Sequence, residues 1–355
     1  MTNFIELLAF GLLSLLLSLI LTPAIRTLAI KIKLIDKPNY RKVHQIPTPL
    51  IGGITIGVIV LIVVGISQLQ IISNYFMILI SGFVMLLVGI IDDKTDMRAL
   101  YKLLIEIALS LIIAFSGIRI TSFYGLFGIN EIGVFWQYFI TVLVICTAVN
   151  AFNLMDGIDG LAGSIALLGF LLIFAVAAIN QNFELAKFSL IFIGSLVGFL
   201  KFNFSKKNKV FLGDSGSLFL GFILISLVIQ FLENNKISEQ SSYGLLFLLT
   251  IFSIPVLDSI RVYVRRIGNG FSPFKADKSH LHHLLLNFGF SHKKITISVF
   301  LFNVLLFATG YLLLHHFSRN AVLISITCLL FLFKFLETLT TFKSWKKRIQ
   351  DLEKD

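Results

Sequence analysis

Long apolar runs joined by short polar segments constrain the fold of this chain more than any other feature. A membrane-spanning helix needs about 20 predominantly apolar residues, and eleven runs of 17 to 22 residues meet that length to within one helical turn. The sequence therefore predicts an all-α, polytopic integral membrane protein with about eleven transmembrane helices. The runs lie near residues 4–25, 50–68, 74–91, 101–117, 134–152, 161–180, 185–204, 215–232, 244–260, 294–314 and 320–340.

Composition excludes the other common classes of protein. Hydrophobic residues make up 57% of the chain and charged residues only 14%, whereas a soluble domain carries about 25% charged residues. A soluble globular protein, a disordered chain and a fibrous protein are therefore excluded, and the lack of alternating apolar and polar residues favours helices over a β-barrel. The loops leave little room for a soluble domain, so residues 1–355 are expected to form one membrane domain.

The basic residues predict the orientation in the membrane. If the N-terminus lies outside, 25 of the 30 Lys and Arg residues lie in or directly beside the inside segments, and four lie in or beside the outside loops. Such a bias marks cytoplasmic loops, so we expect the C-terminus, with its basic tail, in the cytoplasm. The net charge of +11 then faces anionic lipid rather than nucleic acid. The inside segments are 26–49, 92–102, 153–160, 201–214, 261–293 and 341–355.

The aspartates show a second asymmetry. All eleven lie in or beside the predicted inside segments, whereas the outside loops carry glutamates. The orientation of the basic residues does not require this bias. Short carboxylates gathered among lysines and histidines at one face of a membrane suggest a site for a metal ion and phosphate groups.

Two acidic motifs lie at this face. Asp92 and Asp93 end the third run in the segment DDKTD, and adjacent carboxylates repel one another unless a cation or basic side chain holds them. Asp156 and Asp159, in NAFNLMDGIDGLAG, would share one face of the first turn if the sixth helix began there, beside the free N–H groups of that turn. A solvated acidic loop is the alternative for the first motif, and a helix cap with close helix packing for the second.

A third motif, FLGDSGS, opens the eighth run. Asp214 follows a glycine at a predicted helix start, where its carboxylate can bind a cation with little steric obstruction, and Phe211 is placed to stack on a base. An N-cap is the alternative role for Asp214. The basic residues just before this motif also fit a positive-inside loop. They are Lys201, Lys206, Lys207 and Lys209.

Two further inside segments carry imidazole and basic groups. Three histidines fall within four residues of the loop 261–293, and phosphate binding or acid–base chemistry suits them among so many anions. A zinc site with carboxylate partners and a structural cluster are the alternatives. Asp258 is expected either to serve this site or to pair with Arg261 or Arg265. The turn-rich basic segment 36–53 is a weak signal by itself. Three other histidines are expected to be interfacial residues: His292, His315 and His316.

Together these segments resemble the polyprenyl-phosphate N-acetylhexosamine-1-phosphate transferases over nearly the whole chain. That family includes the undecaprenyl-phosphate GlcNAc-1-phosphate transferases and the phospho-MurNAc-pentapeptide transferases. The pentapeptide branch has three consecutive histidines in the last motif, whereas Leu281 separates His280 from His282 here, which resembles the GlcNAc branch. The motifs, in the family's order, are RKVH with PTPLIGG, DDKTD with RALYK, NAFNLMDGIDGLAG, FLGDSGS and SPFKADKSHLHH.

The resemblance implies a reaction and its participants. A UDP-N-acetylhexosamine, with GlcNAc as the expected sugar, and undecaprenyl phosphate would give undecaprenyl-diphospho-N-acetylhexosamine and UMP. Mg²⁺ is the implied cofactor, with Mn²⁺ as the alternative ion. The reaction would take place at the cytoplasmic face of the bacterial cytoplasmic membrane, as the first membrane step of a cell-envelope polysaccharide. The exact sugar, the pathway and a homodimer are left open.

Residue roles follow from the same resemblance by position. Asp214 is expected to bind Mg²⁺ with Asp156 as a second ligand, and Phe211 is expected to stack on uracil. The lipid phosphate would be positioned by Asp92, Asp93 and Lys102. The expected catalytic residues are Asp92, Asp93, Asp156, Asp159 and His282, and the expected substrate-binding residues are Lys42, His44, Lys102, Asn153, Asn203, Phe211, Arg265, His280 and His283.

The chemistry of this reaction agrees with such a set of residues. A phosphate monoester is already anionic near neutral pH, since its second pKa is about 6, so the main difficulty is bringing two anions together. Direct attack by the lipid phosphate on the β-phosphorus is the expected mechanism, and a phospho-aspartate on Asp92 or Asp93 is its rival. The alternative classes are a transporter, a CDP-alcohol phosphotransferase and a noncatalytic relative. Carboxylates at one face and the lack of repeats argue against a transporter. The Arg and the paired downstream aspartates of the CDP-alcohol pattern are missing, and the intact acidic motifs argue against a noncatalytic relative.

Overall fold

The structure, a computed structural model, is helical, with one small sheet among the residues that it describes. It describes residues 2–36, 47–67, 69–236, 241–272 and 280–314, with a few positions between 316 and 327. The strands β1 (Ile35–Asp36) and β2 (Thr48–Pro49) are antiparallel. The α-helices of the described residues are α1 (Thr2–Lys31), α2 (Gly52–Ile66), α3 (Leu69–Thr95), α4 (Ala99–Phe115), α5 (Val134–Met155), α6 (Leu161–Ile179), α7 (Phe183–Asn203), α8 (Gly213–Asn234), α9 (Ser241–Gly268), α10 (Leu281–Asn287) and α11 (His292–Leu314).

Length and apolar composition make most of these helices candidate membrane spans. In the described part of the chain, eight helices are long and apolar enough to cross a bilayer, and α2 is a shorter apolar helix. The prediction of an all-α membrane protein is confirmed, because ten of the eleven apolar runs coincide with helices. Most of the eleventh run, 320–340, lies outside the described residues. The number of spans, the orientation and the single-domain organisation stay predictions.

Helix α8 is the centre of the bundle. In its most apolar stretch 94% of the residues are buried, because α2, α3, α5, α6 and α9 all pack against it. The ring of Phe219 lies 5.9 Å from that of Phe192 and 5.4 Å from that of Phe83, between centroids. Since Asp214 lies in the first turn of this helix, packing on several other helices fixes its backbone.

The segments before α2 and before α8 are hydrogen-bonded to each other. The Phe211 N–H donates to the carbonyl of Pro49 at 2.9 Å, and the Gly52 N–H donates to the carbonyl of Phe211 at 2.9 Å. This pairing fixes Phe211 beside the start of α2. It also positions the turn that leads into α8.

Two helix ends decide where acidic and basic residues of the site lie. Helix α6 begins at Leu161, as the run 161–180 predicts, so Asp156 and Asp159 lie in the turn before it and do not share its first helical turn. The physical reason is that α5 continues to Met155, and the residues that follow are needed to reverse the chain. Helix α9 continues to Gly268, so the arginines assigned to the following loop are helical.

Candidate active site

Asp93 caps helix α8 from the end of α3. Its Oδ1 accepts the Asp214 N–H at 2.8 Å and its Oδ2 accepts the Ser215 N–H at 3.1 Å. The first N–H groups of a helix have no partner within the helix, and Asp93 supplies one for two of them. Both oxygens of Asp93 are thereby used to hold the backbone that carries Asp214.

The residue before Asp214 must be a glycine for this cap to form. Gly213 has a φ of +77°, a conformation that side chains rarely adopt. A Cβ at this position would lie 2.7 Å from Oδ2 of Asp93. Gly213, the first glycine of the FLGDSGS motif, therefore allows the carboxylate of Asp93 to reach the start of α8.

Asp92 has a different environment although it is adjacent in sequence. Its side chain is only 4% exposed, and its Oδ2 lies 2.5 Å from Nζ of Lys102. Its Oδ1 accepts the Met97 N–H at 2.8 Å. Nζ of Lys102 also lies 3.7 Å from Oδ2 of Asp214. The lysine thus lies between the carboxylates of Asp92 and Asp214.

Asp214 is the accessible carboxylate of this cluster. Its side chain is 40% exposed, ten times the 4% of Asp92. Its Oδ1 accepts a hydrogen bond from the Asn153 amide at 3.0 Å, and the same amide lies 2.8 Å from the Ser217 hydroxyl. Asn153 therefore orients Asp214 and leaves its Oδ2 facing Lys102.

Asp156 is the carboxylate of the site whose negative charge is balanced least by neighbouring groups. Its backbone N–H donates to the Asn153 carbonyl at 3.1 Å, but its side-chain carboxylate has no hydrogen-bond or ion-pair partner among the described residues. Burial, together with the carboxylates of Asp214, Asp93 and Asp159, raises its pKa well above the usual range. A bound cation would relieve this accumulation of negative charge.

The residues present fit a magnesium ion only together with substrate. Within the described residues, no three His, Cys, Asp or Glu side chains form a group that could hold a metal ion. Mg²⁺ commonly binds one or two carboxylates and takes its other ligands from substrate phosphates and water. Two carboxylates suit that pattern. The side chain of Asp214 is accessible, and the side chain of Asp156 has no basic partner among the described residues.

Asp159 is tied to two elements that are distant in sequence. Its Oδ2 lies 2.7 Å from Nζ of Lys209 and 3.2 Å from Nδ1 of His292, and its carbonyl accepts the Thr296 hydroxyl at 2.8 Å. Burial acts to raise the pKa of Asp159, but the hydrogen bonds from His292 and Lys209 outweigh it and hold that pKa below the usual range. Nζ of Lys209 also lies 5.2 Å from the ring centroid of Phe211. Phe211, Lys209 and Asp159 thus form one side of the site.

The histidine segment is anchored by Asp258 of α9. Its Oδ2 lies 2.9 Å from Nδ1 of His280, and its Oδ1 accepts the Leu281 N–H at 3.0 Å and the Arg261 guanidinium at 2.7 Å. The structure shows the Arg261 pairing that was one of the two expectations for Asp258. The same carboxylate fixes the start of α10, which carries His282 and His283.

His282 is buried next to the acidic turn. Its side chain packs against Gly157, and its ring lies 4.3 Å from that of His283 and 6.0 Å from that of His280. Burial, reinforced by His283 and His280, lowers the pKa of His282 to about 3. At neutral pH this imidazole is therefore uncharged, so it can act as a neutral hydrogen-bonding group but not as a cation for phosphate.

Acid should destabilise the protein through His282. A histidine whose pKa is lower folded than unfolded keeps its contribution above the unfolded pKa of about 6.5 and loses stability as the pH falls below it. We expect the free energy of unfolding to fall by about 2 kcal/mol at pH 5 through this group, and His282→Gln to remove that part of the loss. Thermal unfolding between pH 7.5 and 5 checks this. The exposed His316→Gln is the control, and an unchanged acid sensitivity in His282→Gln would contradict the assignment.

Gly157 should be sensitive to a single methyl group. A Cβ at Gly157 would lie 2.1 Å from Nε2 of His282, and the buried ring has little space to move away. We expect Gly157→Ala to lower kcat by about 10- to 100-fold through displacement of the ring, with the fold retained. Gly65→Ala is the matched control, since a Cβ there meets nothing within 4 Å. Equal activity of the two variants would show that the position of His282 does not matter.

Some predicted residues lie apart from this arrangement. Asn203 is 3% exposed and donates to the Val210 carbonyl at 2.8 Å, so its amide closes the loop before Phe211. Arg265 is exposed on α9. Lys42 and His44 lie outside the described residues. The substrate-binding roles of these four residues stay predictions.

Comparison with known proteins identifies the family. Residues 75–232 match the model for glycosyl transferase family 4. A Bacillus subtilis (strain 168) protein described as a probable undecaprenyl-phosphate N-acetylglucosaminyl 1-phosphate transferase is 34% identical over 81% of this chain and 79% of its own length. The undecaprenyl-phosphate alpha-N-acetylglucosaminyl 1-phosphate transferases of Escherichia coli (strain K12) and Yersinia pestis are 30% and 33% identical. They cover 90% and 80% of this chain, and 87% and 78% of their own lengths.

The chain belongs to glycosyl transferase family 4. The matched region runs from α3 to α8 and contains every aspartate placed above except Asp258. The predicted family is thereby confirmed. The sequence reasoning missed four groups that complete the site, because each is joined to its partner across a long stretch of chain. They are Lys209 and His292 on Asp159, Thr296 on the Asp159 carbonyl, and Ser217 on Asn153.

Proposed function

We propose that the protein transfers GlcNAc-1-phosphate from UDP-GlcNAc to undecaprenyl phosphate and releases UMP. The observation that carries the proposal is the convergence of Asp92, Lys102, Asn153 and Asp214 at the start of α8, in a chain similar to transferases named for this acceptor and sugar. Such a site can hold two phosphorylated substrates only if their charges are balanced. The lysine and a bound cation would provide that balance.

In the proposed reaction an oxygen of the lipid phosphate attacks the β-phosphorus of the UDP-sugar. A new P–O bond forms, the bond from the β-phosphorus to the bridging oxygen breaks, and that oxygen leaves on UMP. Lys102, whose Nζ lies beside both Asp92 and Asp214, would bind the attacking phosphate. Asp159, Lys209 and Phe211 would bind the nucleoside. A Mg²⁺ ion at Asp214 and Asp156, with Mn²⁺ as the alternative, would supply charge neutralisation to the diphosphate.

The environments of the paired aspartates support direct attack rather than a phospho-aspartate. Both oxygens of Asp93 accept backbone N–H groups, and the buried carboxylate of Asp92 is paired with Lys102. A carboxylate engaged in this way is a weak nucleophile. Radiolabel from the sugar phosphate retained on UMP-free protein in a hydroxylamine-sensitive bond would overturn the direct route.

The location proposed for this reaction is the cytoplasmic face of the bacterial cytoplasmic membrane. The predicted inside segments carry most of the basic residues, and the clustered aspartates lie at helix ends rather than midway along the spans. A soluble nucleotide can meet a lipid phosphate at the headgroup level of such a site. Anionic lipid would attract the same basic loops.

Release of UMP by the purified protein tests the proposal. Detergent-solubilised protein is given undecaprenyl phosphate and Mg²⁺ with UDP-GlcNAc, UDP-GalNAc or UDP-MurNAc-pentapeptide in separate reactions. We expect release with UDP-GlcNAc that requires both the lipid and the cation. Release with the pentapeptide donor alone, or release independent of the lipid, would contradict the proposed function.

A further inference from the structure

A buried carboxyl group with no role in the proposed mechanism lies one helical turn deeper than Lys102. Glu106 on α4 is 0% exposed. An ionisable side chain inside a membrane bundle is costly and usually functional. Lys102 interacts with it electrostatically from one turn away, but no Lys or Arg of the described residues forms a direct ion pair with its carboxylate.

Glu106 is bound instead by an amide on the neighbouring helix. Its Oε2 accepts a hydrogen bond from the side-chain amide of Asn150 on α5, and the same amide donates to the Cys146 carbonyl at 2.9 Å. Its Oε1 has no hydrogen-bond partner within the described part of the chain. The contact therefore joins α4 to α5 through a hydrogen bond in an apolar setting, where such a bond is strong and its loss leaves buried polar atoms unpaired.

The hydrogen bond between Glu106 and Asn150 lies one turn from a second link between α4 and α5, which runs through Asp214. Lys102 precedes Glu106 by four residues on α4, and Asn153 follows Asn150 by three on α5, so each lies on the same helix face as its neighbour. Lys102 and Asn153 both reach Asp214, at 3.7 Å and 3.0 Å. The separation of α4 and α5 thus sets where these two side chains meet Asp214.

We propose that Glu106 and Asn150 form an intramembrane hydrogen-bonded pair that positions Lys102 and Asn153 on Asp214. They are positioning residues, since neither contacts the carboxylates of the site. The requirement is for a hydrogen-bond acceptor opposite the Asn150 amide, so glutamine can replace the glutamate. This inference rests on the proposed transferase activity, and wild-type UMP release establishes that activity separately.

Three variants separate positioning from charge and from general packing. Glu106→Gln keeps an acceptor for Asn150 and should retain at least half of the wild-type kcat. Glu106→Leu and Asn150→Leu remove the hydrogen bond and should each lower kcat by about 10- to 100-fold, with KM for UDP-GlcNAc within about threefold of wild type. The double leucine variant should be no worse than the weaker single one, because both changes remove the same interaction.

Ser110→Ala is the control for a buried polar change on the same helix. Ser110 is 0% exposed and lies one turn beyond Glu106, with Cys146 as its side-chain neighbour. The Ser110→Ala variant should keep the wild-type kcat. The proposal is overturned if Glu106→Leu and Asn150→Leu retain kcat within twofold of wild type, or if Glu106→Gln is as impaired as Glu106→Leu. If one leucine variant does not fold, the other carries the same expectation, and wild-type protein without UMP release would refute the transferase function instead.

Discussion

Asp214→Asn should lower kcat by about 1,000-fold or more while the protein stays folded. The variant keeps the shape of the side chain and an oxygen that can accept the Asn153 amide, which the wild type holds at 3.0 Å. It removes the accessible negative charge that faces Lys102. The expected loss therefore reports on charge at this position rather than on packing.

Thermal unfolding with and without Mg²⁺ and UDP gives a second measurement on the same variant. The wild type should be stabilised by the two ligands together, because ligands that bind only the folded state raise its stability. Asp214→Asn should lose most of that increase. Glu131→Gln, which neutralises an exposed carboxylate on the loop before α5, should behave as wild type in both measurements. Retention of more than a tenth of wild-type kcat by Asp214→Asn would contradict its central role.

Asp93→Ala should impair both stability and catalysis, unlike a change at the adjacent Asp92. Removal of the Asp93 carboxylate leaves the N–H groups of Asp214 and Ser215 unpaired, and each such group costs about 1–3 kcal/mol when buried. Asp93→Asn keeps one acceptor oxygen and should lie between wild type and alanine. Hydrogen exchange of the first turn of α8, measured beside kcat, checks this.

The matched comparison is Asp92→Asn, which weakens the ion pair with Lys102 but leaves the cap of α8 intact. It should lower kcat with little change in exchange at the start of α8. If Asp93→Ala exchanged no faster there than Asp92→Asn, the assignment of Asp93 as the cap would be wrong. The two adjacent aspartates would then be equivalent, as a purely electrostatic account of the DDKTD motif would have it.

The fold could be predicted closely wherever apolar length decides the structure. The run 161–180 coincides with α6 at Leu161–Ile179, and the run 185–204 with α7 at Phe183–Asn203. The prediction was least accurate where a helix leaves the apolar layer. Helix α9 continues past the run 244–260 to Gly268, because its last turns carry arginines that end a hydropathy run but not a helix.

The candidate site could be predicted in its residue types but not in its pairings. The sequence pointed to Asp92, Asp93 and Asp214 as carboxylates in need of cations. It could not show that Asp93 caps the helix of Asp214, because 121 residues separate the partners. Local spacing carries information within a helix or a turn, whereas such contacts arise from the packing of α3 on α8.

The same reason explains the role of His292. His292 was expected to be interfacial, and only the packing of α11 against α6 and α9 brings its Nδ1 to 3.2 Å from Oδ2 of Asp159. Lys209 was equally compatible with a positive-inside loop, yet it lies 2.7 Å from the same carboxylate. Side chains of this kind are found only when the three-dimensional arrangement is known.

Transfer of GlcNAc-1-phosphate as one unit is tested by following the β-phosphate of the donor. UDP-GlcNAc labelled with ³²P in its β-phosphate is incubated with the protein, undecaprenyl phosphate and Mg²⁺, and the lipid and aqueous products are separated. Transfer of GlcNAc-1-phosphate predicts that the label moves into the lipid fraction together with the sugar while unlabelled UMP is released. Label that stays in the aqueous phase as UDP while the sugar enters the lipid would show transfer of the sugar alone and would contradict the proposed reaction.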